Sequence, residues 1–214
     1  MKPLDFPLDE VLGGTRQLID SPRAGIFKPR QTIYHAGSPG EWIYLIRRGL
    51  VKLVRYSTSG AERIVQVARR GDTIGMSALL RRPHSRTAVA MTEVELSRVP
   101  GDLAASAARS QPRFGLNLMA RFQASLDTAD VLLAELSTGD AEGRIARLLL
   151  FLMNEEEGAE TYLPSREDIG ALVGTTTETA SRTVAAFRRR GLIEPVNRER
   201  CRCSVNGLKR VAEA

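Results

Sequence analysis

Pro164-Ser165-Arg166-Glu167-Asp168-Ile169-Gly170-Ala171-Leu172-Val173-Gly174-Thr175-Thr176-Thr177-Glu178-Thr179-Ala180-Ser181-Arg182 is the stretch on which the reading of this chain turns. Ser165 followed by Asp168 is a capping box that opens a helix whose apolar face is Ile169, Leu172 and Val173. Gly170 leaves room for a second helix to cross closely, and Gly174 permits the positive φ of a tight turn. Thr175 followed by Glu178 reads as a second capping box, starting a helix that runs to about Arg190. Two short helices joined at glycine, with a small residue at their crossing, make a helix-turn-helix. The second helix carries Arg182 and Arg188-Arg189-Arg190, fixed cations of the kind that phosphates require. Beyond it, Gly191-Leu192-Ile193-Glu194 leads into Cys201-Arg202-Cys203-Ser204-Val205, which alternates like a wing hairpin.

Outward from this segment the chain has two other textures. From about Ile26 to Val99, short alternating runs are broken by glycine: Trp42–Ile46, Leu50–Tyr56, Ile64–Val67, Thr87–Ala90 and Val94–Val99, with turn signals at Ser57–Gly60 and Gly71-Asp72. Turns recurring at this spacing predict an antiparallel barrel or roll, not alternating strands and helices. From about Asp102 the pattern becomes helical. Leu116, Met119, Phe122, Leu126, Ala129, Leu133 and Leu136 recur every three or four residues and form one apolar stripe. Such a stripe packs either on its own domain or against a copy of itself. It ends near Ser137-Thr138-Gly139, where Asp140 can cap a further helix reaching about Asn154. The run 155–160 reads as a polar loop. The fold expected is α+β: an antiparallel β-roll over 1–101, a long helix over 102–138, and a winged helix-turn-helix over 139–214.

Charge supports the same division. The 214 residues carry 31 Lys and Arg against 25 Asp and Glu, a net charge of +6. From Thr161 onward, ten basic residues face six acidic ones, so most of the surplus lies in the last quarter. That is the electrostatic footprint of a polyanion binder. The longest apolar run, Leu148–Met153, is far short of a membrane span, and the start of the chain shows no signal-peptide core. Two cysteines do not make a disulfide framework, which suits a reducing cytoplasm. An enzyme is disfavoured: the two histidines stand far apart, and there is no phosphate loop, nucleophile triad or metal-ligand cluster.

In order and spacing, these segments resemble the CRP/FNR family of bacterial transcription regulators. The carrying residues are Gly37-Ser38-Pro39-Gly40-Glu41 with Tyr44-Leu45-Ile46, Gly49-Leu50-Val51-Lys52, Gly71-Asp72-Thr73-Ile74-Gly75, Gly143-Arg144-Ile145-Ala146, and the helix-turn-helix itself. The resemblance implies a homodimer joined through the 112–137 helix, binding double-stranded DNA, and meeting RNA polymerase if it acts as an activator. Glu178, Ser181 and Arg182 share one helical face; arginine can read guanine and glutamate can accept from cytosine. The same three residues allow a plain surface ion pair. Glu-x-x-Ser-Arg looks like the FNR and FixK branches, which read TTGAT-type half-sites. The cyclic-AMP receptor branch has arginine and glycine where Thr177 and Ser181 stand. Ser165, Thr175, Thr176, Thr177 and Thr179 complete the expected DNA-binding set, mostly as phosphate contacts.

The resemblance also implies an effector pocket in the roll, formed by Gly75, Met76, Arg86, Thr87, Ala129 and Asp130. Arg86-Thr87 keeps the family's phosphate-binding pair, but Met76 stands where the ribose-binding glutamate belongs. Ala129-Asp130 replaces the Thr-Ser that meets adenine. Methionine cannot accept a hydroxyl hydrogen bond, so cyclic AMP bound in the usual way is not expected. With no cysteine before Cys201, the family's iron–sulfur cluster is excluded, and neither cofactor nor metal is expected. Haem would need an axial ligand from His35, His84, Met76 or Met91. His84, in a loop, reads as solvated. Cys201 and Cys203, two apart on one strand face beside Arg200 and Arg202, are either redox thiols or structural residues. The rival reading is a cyclic-nucleotide- or haem-binding module acting on a protein partner.

Overall fold

The computed structural model describes residues 25–58, 60–153 and 160–213. The N-terminal segment and most of the 155–160 loop lie outside them. Strands β1 (Gly25–Phe27), β2 (Thr32–Tyr34), β3 (Trp42–Arg48), β4 (Val51–Tyr56), β5 (Glu62–Ala68), β6 (Thr73–Ile74), β7 (Thr87–Ala90) and β8 (Val94–Pro100) form two four-stranded sheets. Their orders are β1-β8-β3-β6 and β2-β7-β4-β5. Alternation along each strand sends Tyr44, Ile46, Val51, Leu53, Ala88, Ala90, Val94 and Leu96 into one shared core. A 3₁₀ turn, Met76–Leu80, lies between β6 and β7.

The block 102–138, expected as a single helix, is two helices: α1 (Gly101–Ser110) and α2 (Pro112–Leu136). Gln111 breaks them with extended φ −128° and ψ 96°. Proline at the first position of α2 sacrifices only a donor that would have had no helical partner. Phe114 at the start of α2 is buried with Ile43, Ala78, Ala104 and Ala107. The main division between compact units falls within α2, between Thr128 and Ala129, and not at the ends of the helical block.

In the second unit, α3 (Ala141–Leu152) is capped by Asp140, whose Oδ1 accepts from Gly143 N at 2.7 Å. Then come β9 (Glu160–Tyr162), α4 (Arg166–Val173), α5 (Thr177–Arg189), β10 (Ile193–Pro195), β11 (Arg200–Cys203) and α6 (Val205–Ala212). Glu160, expected in a loop, instead starts a strand, because β9 pairs with β11 to complete a three-stranded sheet of order β10-β11-β9. Helix α3 lies against α4, α5 and α6, burying Ile145, Leu148 and Leu149 completely. No helix among the described residues is long and apolar enough to cross a membrane.

Candidate nucleic-acid interface

Helix α4 begins as its sequence dictates: Ser165 Oγ accepts from Asp168 N at 3.1 Å. It ends at Gly174, where φ is +69°. A Cβ on Gly170 would stand 2.7 Å from Thr175 O, so this position admits nothing larger than glycine. The second cap is displaced by one residue from expectation. Thr175 N still donates back to Gly170 O at 3.1 Å, so the chain enters α5 only after it. Thr176 is the N-cap, its Oγ1 accepting from Thr179 N at 3.1 Å and pairing with Thr179 Oγ1 at 3.0 Å. The Ser165 and Thr176 hydroxyls therefore hold the motif's own backbone, whereas the Thr179 hydroxyl meets only side chains, those of Thr176 and Arg182.

Helix α5 is sharply two-faced. Ala180, Val184 and Phe187 are fully buried, whereas Thr176, Thr177, Glu178, Ser181 and Arg182 are exposed. Glu178 and Arg182 approach at 3.8 Å with both side chains more than 70% exposed, so this pair is worth at most about 1 kcal/mol. Both remain electrostatically available to a ligand. The arginine run that follows is less uniform. Arg190 pairs with Glu142 of α3, while Arg188 and Arg189 are exposed. Arg202 and Arg200 both reach Glu160, at 2.9 and 3.9 Å.

Cys201 and Cys203 are buried on one face of β11, their Sγ atoms 3.8 Å apart. The hydrogen bond from Cys203, followed by the positive field of Arg188, Arg166 and Arg200, pulls the Cys201 thiol below its ordinary pKa against the effect of burial. The same hydrogen bond, with burial, pushes Cys203 upward.

In the roll, Gly75, Met76, Arg86 and Thr87 belong to the first unit, and Ala129 and Asp130 to the second. Gly75 has φ +78° and caps the 3₁₀ turn. Met76 packs on the apolar cluster of Ile43, Ala104 and Phe114. Arg86 Nη1 donates to Gln66 Oε1 at 2.8 Å, and Gln66 Nε2 donates to Ser125 Oγ of α2 at 2.9 Å. Thr87 Oγ1 accepts from Ala36 N at 3.0 Å. His84 is not solvated, as its loop position suggested, but buried: its ring stacks on Tyr34 at 3.9 Å and its Nδ1 meets Ser77 Oγ at 2.8 Å. Burial lowers its pKa and raises that of Tyr34. Of the other candidate haem ligands, Met91 is buried and His35 is exposed. Gln66, Ser125 and Tyr34 were not singled out from sequence. Gln66 left one signal, a polar residue on the inward face of β5 between Ile64 and Ala68.

Comparison with known proteins bears on the whole chain. The cyclic nucleotide-binding domain model matches residues 26–110, and the Crp-like helix-turn-helix domain model matches residues 143–211. A CRP-like cAMP-activated global transcriptional regulator of Mycobacterium tuberculosis is 30% identical over 188 residues, covering 84% of this chain and 81% of that protein. This chain belongs to the CRP/FNR family of transcription regulators. The cyclic AMP receptor protein of Thermus thermophilus is 31% identical over 169 residues, 78% of each chain. A solved CRP-family transcriptional regulator from the same organism superposes with a TM-score of 0.74 at 28% identity, covering 89% of this chain and 97% of that one. The α+β architecture and the DNA-binding helix-turn-helix are thus those of a CRP/FNR regulator.

Proposed function

We propose that this regulator binds a palindrome of TTGAT-like half-sites as a homodimer joined through α2. The observation that carries the reading is the two-faced α5. Its buried Ala180, Val184 and Phe187 fix the helix, and its opposite face presents Glu178, Ser181 and Arg182 together. In a major groove, Arg182 donates to guanine O6 and N7 and Glu178 accepts from cytosine N4. Ser165, Thr175, Thr176, Thr177 and Thr179 contact phosphates and set the register.

The dimer reading rests on α2. Six of the ten exposed large apolar residues among those described lie on this helix: Leu116, Met119, Phe122, Leu126, Val131 and Leu133. Met119, Phe122, Leu126, Ala129 and Leu133 follow the alternating three- and four-residue steps of a coiled-coil seam. Leu136 does not extend it, being buried within the second unit. A palindrome read in successive major grooves requires two recognition helices about 34 Å apart, one turn of DNA, which a dimer supplies.

The roll performs this role without cyclic AMP held in the family's usual way. Arg86, the phosphate-binding candidate, is already engaged by Gln66, and Met76 offers an apolar contact where a ribose needs an acceptor. Internal side chains do the bridging to α2 that a ligand would do. The test is salt-titrated gel shift on a TTGAT palindrome and a scrambled duplex, with and without cyclic AMP. Preference for the palindrome of at least about 10³-fold, unchanged by nucleotide, is expected. Equal affinity for both duplexes overturns the operator reading. A nucleotide-induced rise in affinity or melting temperature overturns the nucleotide-independent one.

A further inference from the structure

We propose that Arg147 of α3 is the positioning residue that fixes which half-site spacing this regulator accepts. It does so by locking the end of α2 to the DNA-binding helices. The guanidinium gathers carbonyls from two helix ends at once. Nε donates to Glu135 O in the last turn of α2 at 2.6 Å, Nη2 donates to Thr138 O just beyond that helix, and Nη1 donates to Ala212 O at the end of α6. The last carbonyls of a helix lack partners within it and carry its negative pole. A planar cation with several donors in a rigid fork is the group suited to join two such ends. Two neighbouring carbonyls of α2 are satisfied at the helix end itself, where Ser137 Oγ donates to Leu133 O and Thr138 Oγ1 donates to Ala134 O at 2.9 Å.

The lock sits where packing is incomplete. An apolar gap of about 200 Å³ remains between α2 and α3, lined by Val131, Leu132, Leu136, Leu150 and Phe151 as well as by Arg147. Apolar contacts alone therefore leave the angle between these helices under-determined. The Arg147 side chain is only 18% exposed, so water competes little for its bonds to the carbonyls. The Glu135 carboxylate lies 3.7 Å from Nε and is mostly exposed, so that ion pair contributes little and the carbonyls do the holding. The turn is shaped around the guanidinium: Gly139 has φ +76°, and a Cβ there would stand 3.2 Å from Nη2.

The constraint passes from α3 to the recognition motif. Arg144, three residues earlier on α3, donates from Nη1 to Val173 O, the last residue of α4, at 2.7 Å. Helix α3 thus holds α2 through Arg147 and the helix-turn-helix through Arg144. The inference rests on reading α2 as the dimer helix. With two copies joined there, the angle between α2 and α3 in each copy sets how far apart the two α5 helices meet DNA. A loose angle leaves each half-site readable, but spreads the pair of recognition helices over many separations. The effective concentration of the second helix at its half-site then falls.

The test compares wild type with Arg147→Met, which removes the fork, and with Arg147→Lys, which keeps the charge without the planar spread of donors. Gel shifts are run on a single TTGAT half-site, on the palindrome, and on palindromes with one or two base pairs inserted or removed between half-sites. Wild type is expected to prefer one spacing. Arg147→Met is expected to bind the single half-site within about twofold of wild type, to lose about 10-fold on the preferred palindrome, and to flatten the spacing preference. Arg147→Lys is expected to fall between the two, and Glu135→Gln, which keeps the backbone carbonyl, to match wild type. A second readout needs no DNA. Nitroxide-bearing amino acids replace the exposed Asp130 and Arg189, and electron–electron resonance reads their separation in dimers diluted with unlabelled chain. A narrow distribution is expected in wild type and a broad one in Arg147→Met.

The proposal is overturned if folded Arg147→Met keeps the spacing preference of wild type, or if its distance distribution is no broader. An equal loss on the single half-site also overturns it, since Arg147 would then only support the fold. Should Arg147→Met not fold, a wild-type spacing preference in Arg147→Lys overturns it instead. Wild type that prefers no palindrome at all is a failure of the operator reading, and the distance distributions then decide separately whether Arg147 locks the joint.

Discussion

Replacing Leu126 by glutamate places a carboxylate in the middle of the exposed stripe of α2. Leu126 is 44% exposed in the single chain, so pairing with a second copy removes roughly half of its surface from water. Fully burying a leucine contributes about 1.5–3 kcal/mol, so the remaining half contributes about 1 kcal/mol per copy. Two carboxylates brought together at a partly desolvated seam add about 1–2 kcal/mol of repulsion. The sum over both copies is about 3–4 kcal/mol, which raises the dimer dissociation constant about 100- to 1000-fold. The protomer itself should barely notice. Glutamate and leucine have similar helix propensities, and the site lies on the helix surface. Sedimentation equilibrium across a dilution series reads the dissociation constant, and circular dichroism checks that the helix persists. Tyr56→Glu, at a still more exposed apolar residue of β4 outside the stripe, serves as the control and should leave self-association unchanged. If Leu126→Glu stays folded and dimerises within about threefold of wild type, the seam runs elsewhere and the coiled-coil argument fails.

Arg182→Ala should leave the melting temperature unchanged, because its ion pair with Glu178 is loose and exposed, yet cost about 1–3 kcal/mol on the palindrome; an equal loss on scrambled DNA in the same gel shift would show that Arg182 touches phosphate alone. Thr176→Ala removes the N-cap of α5 and should destabilise the chain by about 1 kcal/mol in urea unfolding, with Thr175→Ala costing less; the reverse order would restore the cap to Thr175. Gln66→Leu strands the half-buried Arg86 guanidinium and should cost about 1–3 kcal/mol by the same measurement, whereas Gln66→Glu, which keeps an acceptor, should be tolerated. Phe187→Ala opens a cavity beneath α5 and should cost about 3–5 kcal/mol, lost from thermal unfolding and DNA binding together.

The features legible in the sequence were those decided within a few residues. Ser165 and Asp140 cap their helices because a side-chain oxygen and the amide three residues on are neighbours in any chain that turns there. Strands β3, β4, β5, β7 and β8 announce themselves by alternation over four to seven residues, whereas β1, β2, β6 and β9 run for only two or three, too few for a period to show. The misplaced cap at Thr175 has the same local origin: three consecutive threonines offer equivalent oxygens, and the choice falls to the Thr175 amide, which is already taken by Gly170 O. The sensor side is different in kind. Gln66 meets Arg86 twenty residues away and Ser125 fifty-nine away, and the loop residue His84 is stacked on Tyr34, which arrives from β2. No local pattern encodes such meetings. Yet each leaves a trace as a polar residue at an inward position, because a buried amide or imidazole without a partner would be too costly to retain. That trace marks where a partner must exist without naming it. Thr161 is the one buried side-chain hydroxyl in this unit for which the described residues supply no such partner, and it stands opposite Cys201.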